Sequence, residues 1–307
     1  MILVRIKGGL GNQLFQYACG RSLAIEKQTS LALDLSWFNS ESAHLPHAPR
    51  EYLLKYLNIS PETDVFSINE SNQLKIHFQL LNHPSPNLKT HFLRILEKTI
   101  PRYQNWSWVQ EHDPFKYNPD IFSNTMENIF LDGYWQNEAY FVSHKQAILH
   151  EFSPNNDNIP ADTEISQRIQ QSNAVSIHIR RGDYIKSEKT QAFHGVLSEK
   201  YYLEGIKKIH ENVENAKFFV FSDDPDWCHN HLSLPIEYEI VSNNQRNAVD
   251  ELFLMSKCKH HIIANSTFSW WAAWLNPFPK AITIAPSQWL QVSSYNPACT
   301  HWIKVVP

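Results

Sequence analysis

The chain has 307 residues, 42% hydrophobic and 19% charged, with Lys plus Arg 27 against Asp plus Glu 31 and a net charge of −4. That is enough for roughly two domains with full cores, and it argues against a nucleic-acid protein whose affinity rests on a basic surface. No apolar run approaches the ~18–20 residues a membrane span needs.

The stretch from Met1 to Ile6 is shorter than a signal-peptide core and runs into Gly8-Gly9, so the expectation is a cytoplasmic chain. It reads as a strand, Ile2 to Ile6, broken by Gly8, Gly9 and Gly11. From Leu10 to Lys27 apolar residues recur at Leu14, Ala18 and Ile25, with Phe15, Cys19 and Leu23 beside them, as in a packed helix. Leu31 to Leu35 is the next strand, which completes a βαβ opening. Residues 36–150 carry less pattern. Helices are expected around 89–98 and 137–151, and Pro101 to Trp135, rich in aromatics, Asn and Pro, fits no single element. Ser153 to Thr163 is polar with two prolines and is the linker candidate.

The C-terminal half alternates. Strands are expected at Ala174–Ile179, Lys217–Phe221, Glu237–Val241, His260–Ala264 and Ala281–Ala285. Helices are expected at Ser198–Glu211, Pro225–Leu232, Ala248–Lys257 and Thr267–Leu275. This pattern implies a mostly parallel sheet covered on both faces, whose ligands bind beyond the carboxyl ends of the strands. Cys19, Cys228, Cys258 and Cys299 have no close pair, which fits reduced thiols better than disulfides or zinc. The Asn-x-Ser/Thr matches at Asn58, Asn69, Asn105 and Asn265 are read as accidental.

Four segments at strand ends can carry chemistry. Gly8 to Gln13 joins the first strand to the first helix. Its glycines would admit a ligand to the backbone at a helix N-terminus, or would simply make a tight turn with Asn12 and Gln13 as caps. His178-Ile179-Arg180-Arg181-Gly182-Asp183-Tyr184 closes a strand, with His178 and Arg180 on one face. Adjacent arginines there match a diphosphate, whose oxygens suit guanidinium forks, or form structural Arg–Asp pairs. The embedded Arg-Gly-Asp tripeptide is not read as an adhesion motif, because it follows a buried-looking strand. Ser222-Asp223-Asp224-Pro225-Asp226 contains a formal Asp-x-Asp of the kind that holds divalent metals. It also reads as a cap followed by Pro in a helix's first turn, which is preferred. Asn265-Ser266-Thr267-Phe268-Ser269 opens a tryptophan-rich helix, either as an anion cradle or as a cap. Trp270, Trp271 and Trp274 are expected in the core, and His260-His261 is expected to be structural.

Taken together, GGLGNQLFQYA (Gly8–Ala18), HIRRGDY (His178–Tyr184), FSDDPDWC (Phe221–Cys228) and NSTFSWWAAWL (Asn265–Leu275) resemble the α-1,2-fucosyltransferases of glycosyltransferase family 11, bacterial members in particular. Leu131-Asp132-Gly133-Tyr134-Trp135-Gln136, followed by Tyr140-Phe141, is similar to the same family. The resemblance implies an α/β, GT-B-like fold of two Rossmann-type domains facing a cleft. Residues 1–155 would form the N-terminal, acceptor-side domain and 165–307 the C-terminal, GDP-fucose-binding one. It also implies inverting transfer of L-fucose from GDP-fucose to the 2-hydroxyl of a β-galactosyl residue, with no metal and no other cofactor.

Carried over residue by residue, the resemblance sets Arg180 on the diphosphate with Arg181 nearby. Asn12 would face the donor phosphate, with Gly9 and Gln13 in the donor-binding set. His178 and Asn265 fall in the donor-binding set, Ser222 and Asp223 fit nucleoside contacts, and Ser266, Thr267 and Ser269 fit the phosphate cradle. Asp183 is the first candidate for the general base. Its rival role is holding Arg180 or Arg181, and a late, dissociative transition state would need little base. The partners implied are GDP-fucose and a β-galactosyl acceptor, a lipid-linked oligosaccharide included, which would add peripheral attachment at the inner face of the cytoplasmic membrane. Surface-polysaccharide (O-antigen) synthesis is the expected setting, with no nucleic acid and no stable protein partner. Two alternatives stay open: a metal-dependent glycosyltransferase using Asp224 and Asp226 with another sugar nucleotide, and a non-catalytic glycan-binding module.

Overall fold

The computed structural model describes residues 1–44, 49–60, 64–66, 105–111, 113–114, 116–155, 164–182, 185, 188–243 and 246–307. The helix expected around 89–98 and the candidate base Asp183 lie outside the described residues. The chain divides into two compact units, Met1–Ser153 and Pro154–Pro307.

Unit 1 is built on a parallel five-stranded sheet. Its strands are β1 (Ile2–Arg5), β2 (Leu31–Asp34), β3 (Asp64–Phe66), β4 (Trp106–Gln110) and β5 (Asn128–Asp132), in the order β3-β2-β1-β5-β4. β1 lies at the centre, with Ile2 in register with Leu31 on one side and Ile129 on the other. Its near-continuous apolar sequence follows from burial on both faces, as in parallel sheets generally. Helix α1 (Leu10–Glu26) lies against it. The approach is close at Gly20, where an added Cβ would fall 2.1 Å from Val4 Cγ2. A four-residue α2 (Asp120–Ser123) and α3 (Lys145–Glu151) follow. The helix expected over 137–151 is thus two short 3₁₀ turns, Glu138–Tyr140 and Val142–His144, before α3. β4 and β5 come from the aromatic stretch with no legible period. The sheet forms there because Trp108 stacks on Phe130 across the pair, ring centroids 6.4 Å apart.

Unit 2 holds α4 (Glu164–Gln170), β6 (Asn173–Ile179), α5 (Glu188–His194), α6 (Glu199–His210), β7 (Ala216–Ser222), α7 (Pro225–His231), β8 (Tyr238–Ile240), α8 (Ala248–Ser256), β9 (His260–Ile262), α9 (Thr267–Trp274), β10 (Thr283–Pro286) and β11 (Ile303–Val305). The expected strands and helices here all form, within two residues at each end. The sheet is parallel, in the order β11-β10-β9-β6-β7-β8. In chain order this is the doubly wound 3-2-1-4-5-6 arrangement, whose switch point falls between β6 and β9. The core gathers Val175, Ile177, Val220, Ile262 and Ile284 from the strands and Tyr201, Ile206 and Ile209 from α6. The Tyr201 hydroxyl donates to the Ile263 and Ile284 carbonyls at 2.6 and 3.3 Å, and Tyr202 donates to the His178 carbonyl at 3.1 Å. These bonds tie α6 to the strand ends. Trp270, Trp271 and Trp274 are buried in the core. His261 is structural, fully buried between Ser176 Oγ and Asn276 Nδ2, 2.8 Å from each. All four cysteines are buried thiols.

Candidate active site

In unit 1 the glycine segment turns the chain from β1 into α1 at the edge where β1 and β5 end. Gly8 sits at φ +80°, a backbone conformation that favours glycine, and an added Cβ would press on Asn12 Nδ2 at 2.8 Å. Gly9 caps α1 with backbone only, and no acidic side chain stands in the first turn. Asn12 Oδ1 accepts from Gln136 Nε2 at 3.0 Å, which joins the first family-like block to the Leu131–Gln136 block. Gln13 does different work from the donor contact expected of it. It is fully buried, its Nε2 donates to the Gly8 and Glu51 carbonyls (3.0 and 2.8 Å), and its Oε1 accepts from Leu53 N at 2.9 Å. It is a clamp on the loop. Arg50 reaches the same turn, its Nη1 3.4 Å from where a Gly9 Cβ would be.

Below that edge lies a charged network. Arg5 pairs with Asp34 at 3.1 Å and Asp132 at 2.5 Å, and Lys7 pairs with Asp132 at 3.3 Å. Glu111, just past β4, accepts from the backbone N–H of Tyr134 and Trp135 at 2.6 and 3.0 Å. Burial raises its carboxyl above the ordinary value, against those two bonds and Lys7. Neither Gln136 nor Glu111 was singled out from sequence. Gln136 sits in a block that could have pointed to it, whereas Glu111 carries no local signal.

In unit 2 the polar blocks come together at the switch point. β6 pairs with β7 on one side and β9 on the other, so the chain beyond His178 lies between the Ser222–Asp224 and Asn265–Thr267 segments. Arg180 Nε lies 3.3 Å from Asp223 Oδ2, with both side chains about one-fifth exposed (19% and 20%). Asp223 also accepts from Arg181 N at 2.9 Å and from Gly182 N. A Cβ on Gly182 would fall 2.7 Å from Asp223 Oδ2, so the loop can wrap this carboxylate only with glycine there. Burial alone would raise the Asp223 carboxyl; Arg180 and the two N–H groups outweigh it and hold the group below its ordinary value. Arg181 points elsewhere. Its guanidinium carbon lies 3.8 Å from the Trp227 ring centroid and its Nε 3.6 Å from Asp224 Oδ2.

Asp224 is the N-cap of α7, accepting from Trp227 N at 3.2 Å, with Pro225 in the first turn. The cap reading of this segment holds. Among the described residues no group of three or more His, Cys, Asp or Glu is arranged to hold a metal. Ser222 Oγ accepts from Asp224 N at 3.0 Å and shapes the same turn. His178 is buried against Phe268, centroids 5.7 Å apart, and its Nδ1 has no partner. Burial first, and Arg180 second, lower its ring to about 3, against the pull of Asp223, so it is a neutral imidazole at neutral pH.

At the start of α9, Ser266 is the N-cap, accepting from Phe268 N. Thr267 is partly exposed beside it. Asn265 and Ser269 point inward. Asn265 Nδ2 donates to the His194, Gly195 and Trp289 carbonyls (2.8, 3.3 and 3.2 Å). The fully buried Ser269 hydroxyl donates to Ala264 and Ser266 carbonyls at 3.4 and 3.3 Å. Of the expected cradle, Thr267 is partly exposed and Ser266 is buried as the helix cap, while Ser269 and the neighbouring Asn265 hold its loop.

The family model for glycosyl transferase family 11 matches residues 1–297. An alpha-1,2-colitosyltransferase of Escherichia coli is 33% identical over 99% of this chain and 99% of its own length. The O-antigen biosynthesis glycosyltransferase WbnK of Escherichia coli is 34% identical over 92% of this chain and 93% of its own. Among solved structures, an Arabidopsis thaliana FUT1 mutant in complex with GDP matches with a TM-score of 0.50 at 13% identity, over 94% of this chain and 71% of that one. That likeness concerns the fold alone and agrees with the GT-B-like expectation. The chain belongs to glycosyl transferase family 11 and is a glycosyltransferase.

Proposed function

With family membership as the premise, we propose that the chain is an inverting, metal-independent transferase that moves L-fucose from GDP-fucose to the 2-hydroxyl of a terminal β-galactoside in surface-polysaccharide synthesis. The observation that carries the reading is the strand order of unit 2. It sets Arg180 at the switch point of a doubly wound sheet, on the same edge as the N-terminus of α9, where such sheets take their ligands. A guanidinium and a helix N-terminus in one place suit a diphosphate.

In this reading the leaving group is GDP and the sugar gains oxocarbenium character as its bond to the β-phosphate breaks. Charge grows on that phosphate. Arg180, aimed by Asp223, meets it with a positive charge already in position. Arg181 stiffens the loop from beneath through Trp227 and Asp224. Neutral His178 packs under the same turn and adds no charge of its own. The acceptor hydroxyl gives up its proton as it attacks, and Asp183 is carried forward as the candidate base. Asn12 is carried forward as the donor-side residue of unit 1. A lipid-linked acceptor would bring the chain to the inner face of the cytoplasmic membrane. Among the described residues no helix is long and apolar enough to cross one.

The test is GDP release from GDP-fucose with a panel of β-galactosides, with and without EDTA, and linkage analysis of the product. Acceptor-dependent release that persists in EDTA, with an α-1,2 product, supports the reading. Loss in EDTA returns the metal-dependent alternative, and glycan binding with no GDP binding returns the non-catalytic one. The Escherichia coli colitosyltransferase, similar over nearly the whole chain, favours a second reading in which the transferred sugar is colitose. Direct competition between fucosyl and colitosyl donors decides between them.

A further inference from the structure

In unit 1 the chain beyond β5 turns sharply over Gly133 to Asn137, and the turn is built with unusual care. Glu111 Oε2 accepts from Tyr134 N at 2.6 Å and its Oε1 from Trp135 N at 3.0 Å. The carboxylate crosses the turn over a glycine, since a Cβ at Gly133 would fall 2.4 Å from Glu111 Cβ. The Gly133 carbonyl accepts from the buried Gln16 Nε2 at 3.2 Å, and the Trp135 carbonyl accepts from Asn137 N at 2.8 Å. The Trp135 ring is buried edge-on to Tyr140, centroids 5.6 Å apart. Trp135 is thereby held at φ +55°, a left-handed conformation unusual for a bulky aromatic. Such strain persists only where the surroundings over-determine the backbone, and it gathers at ligand-binding segments.

What this scaffold presents is Tyr134. The residue is 37% exposed, although the backbone on both sides of it is fixed. Its hydroxyl makes no hydrogen bond among the described residues, whereas those of Tyr17, Tyr201 and Tyr202 all tie parts of the fold together. Lys7 Nζ stands 4.8 Å from the Tyr134 ring centroid and 3.3 Å from Asp132 Oδ1, which sets the ring's tilt. Next along the turn, Gln136 reaches Asn12. A rigid, part-exposed ring rimmed by polar groups thus stands beyond the carboxyl ends of a parallel sheet, where such sheets take ligands.

That combination suits a sugar. In β-galactose the 4-hydroxyl is axial, so the C–H bonds at C3, C4 and C5 share the opposite face. The electron-rich face of an aromatic ring attracts those hydrogens. A galactosyl residue stacked this way keeps its equatorial 2-hydroxyl at the ring's edge, off the platform and open to react. We propose that Tyr134 is the platform of the acceptor subsite in unit 1, carrying the C–H face of the galactosyl residue, and that Glu111 is a positioning residue that fixes the turn beneath it. The proposal rests on the galactoside reading above and names the side chain that would recognise that sugar.

The experiment measures initial rates of GDP release by the intact protein, varying the β-galactoside at saturating donor, and separately the affinity for GDP. Loss of an aromatic contact with its buried area corresponds to about tenfold in affinity. Tyr134→Ala raises the acceptor KM about tenfold and leaves GDP affinity within about twofold. Tyr134→Phe keeps the wild-type acceptor KM, because the ring is the contact. Glu111→Gln, with one acceptor oxygen left for two N–H groups, raises the acceptor KM with GDP affinity again unchanged. A wild-type acceptor KM in Tyr134→Ala, or in Tyr134→Leu should the alanine variant not fold, overturns the platform. So does a loss of GDP affinity that matches the rise in acceptor KM, which marks a structural role. A wild-type acceptor KM in Glu111→Gln overturns the positioning role. Wild-type protein that transfers to no β-galactoside overturns the galactoside reading, and the platform with it.

Discussion

Asp223→Asn probes the Arg180 loop most directly. The carboxylate sits 3.3 Å from Arg180 Nε, and with both groups about one-fifth exposed their attraction is about 5 kcal/mol at an effective dielectric of about 20. Desolvation offsets much of that, and the amide keeps one acceptor for the Arg181 and Gly182 N–H groups. The net loss is about 2 kcal/mol. For a unit the size of Pro154–Pro307 this corresponds to about 4–8 °C in Tm. The folded Asp223 carboxyl lies below its unfolded value. Its contribution is therefore present above the ordinary carboxylate range, near pH 3.9, and is lost as pH falls through the folded value. Thermal unfolding followed by the fluorescence of the ten tryptophans, at several pH values between 7 and 3.5, reads both effects. The expected gap between wild type and variant is full at pH 7 and pH 5 and closes below about pH 4. Equal Tm values at pH 7, or a gap that widens in acid, would refute the reasoning. The transfer rate falls in the same variant, because Arg180 loses the group that aims it.

Arg180→Ala lowers transfer by about 10²–10³, the usual loss for one electrostatic contact in the transition state, and it unfolds at a higher temperature than Asp223→Asn because Asp223 keeps its two N–H partners. A near-normal kcat would sink the assignment. Gln13→Ala strips partners from Leu53 N and from the Gly8 and Glu51 carbonyls in a buried setting, and lowers stability by about 2–4 kcal/mol, read as a reduced Tm. A Tm at the wild-type value would mean the clamp is dispensable. Gly20→Ala forces a methyl to within 2.1 Å of Val4 Cγ2 and costs about 1–3 kcal/mol, seen as a lower urea midpoint. A raised midpoint would show that α1 shifts freely and gains only from alanine's helix propensity.

Two kinds of information separate cleanly in this protein. Periodicity, caps and end signals are local, so they were legible. The alternation of the C-terminal half predicts its strands and helices closely, and Ser198, Asp224, Asn247 and Ser266 cap the helices that follow them. Where local pattern is weak, as in WSWVQ at Trp106–Gln110, the strand exists because a neighbour strand pairs with it, which no window of sequence contains. The four motif blocks could be named from sequence, and so could the family they resemble. Which of their side chains face outward could not. Asn265 and Gln13 look like ligand contacts in a motif, yet their amides are consumed by carbonyls from distant loops. The strand order is the deciding case. Nothing local says that β9 inserts beside β6, although 80 residues separate them, and that insertion brings the arginines and the α9 N-terminus to one edge. Elements are chosen by neighbours along the chain, whereas a site is chosen by neighbours in space.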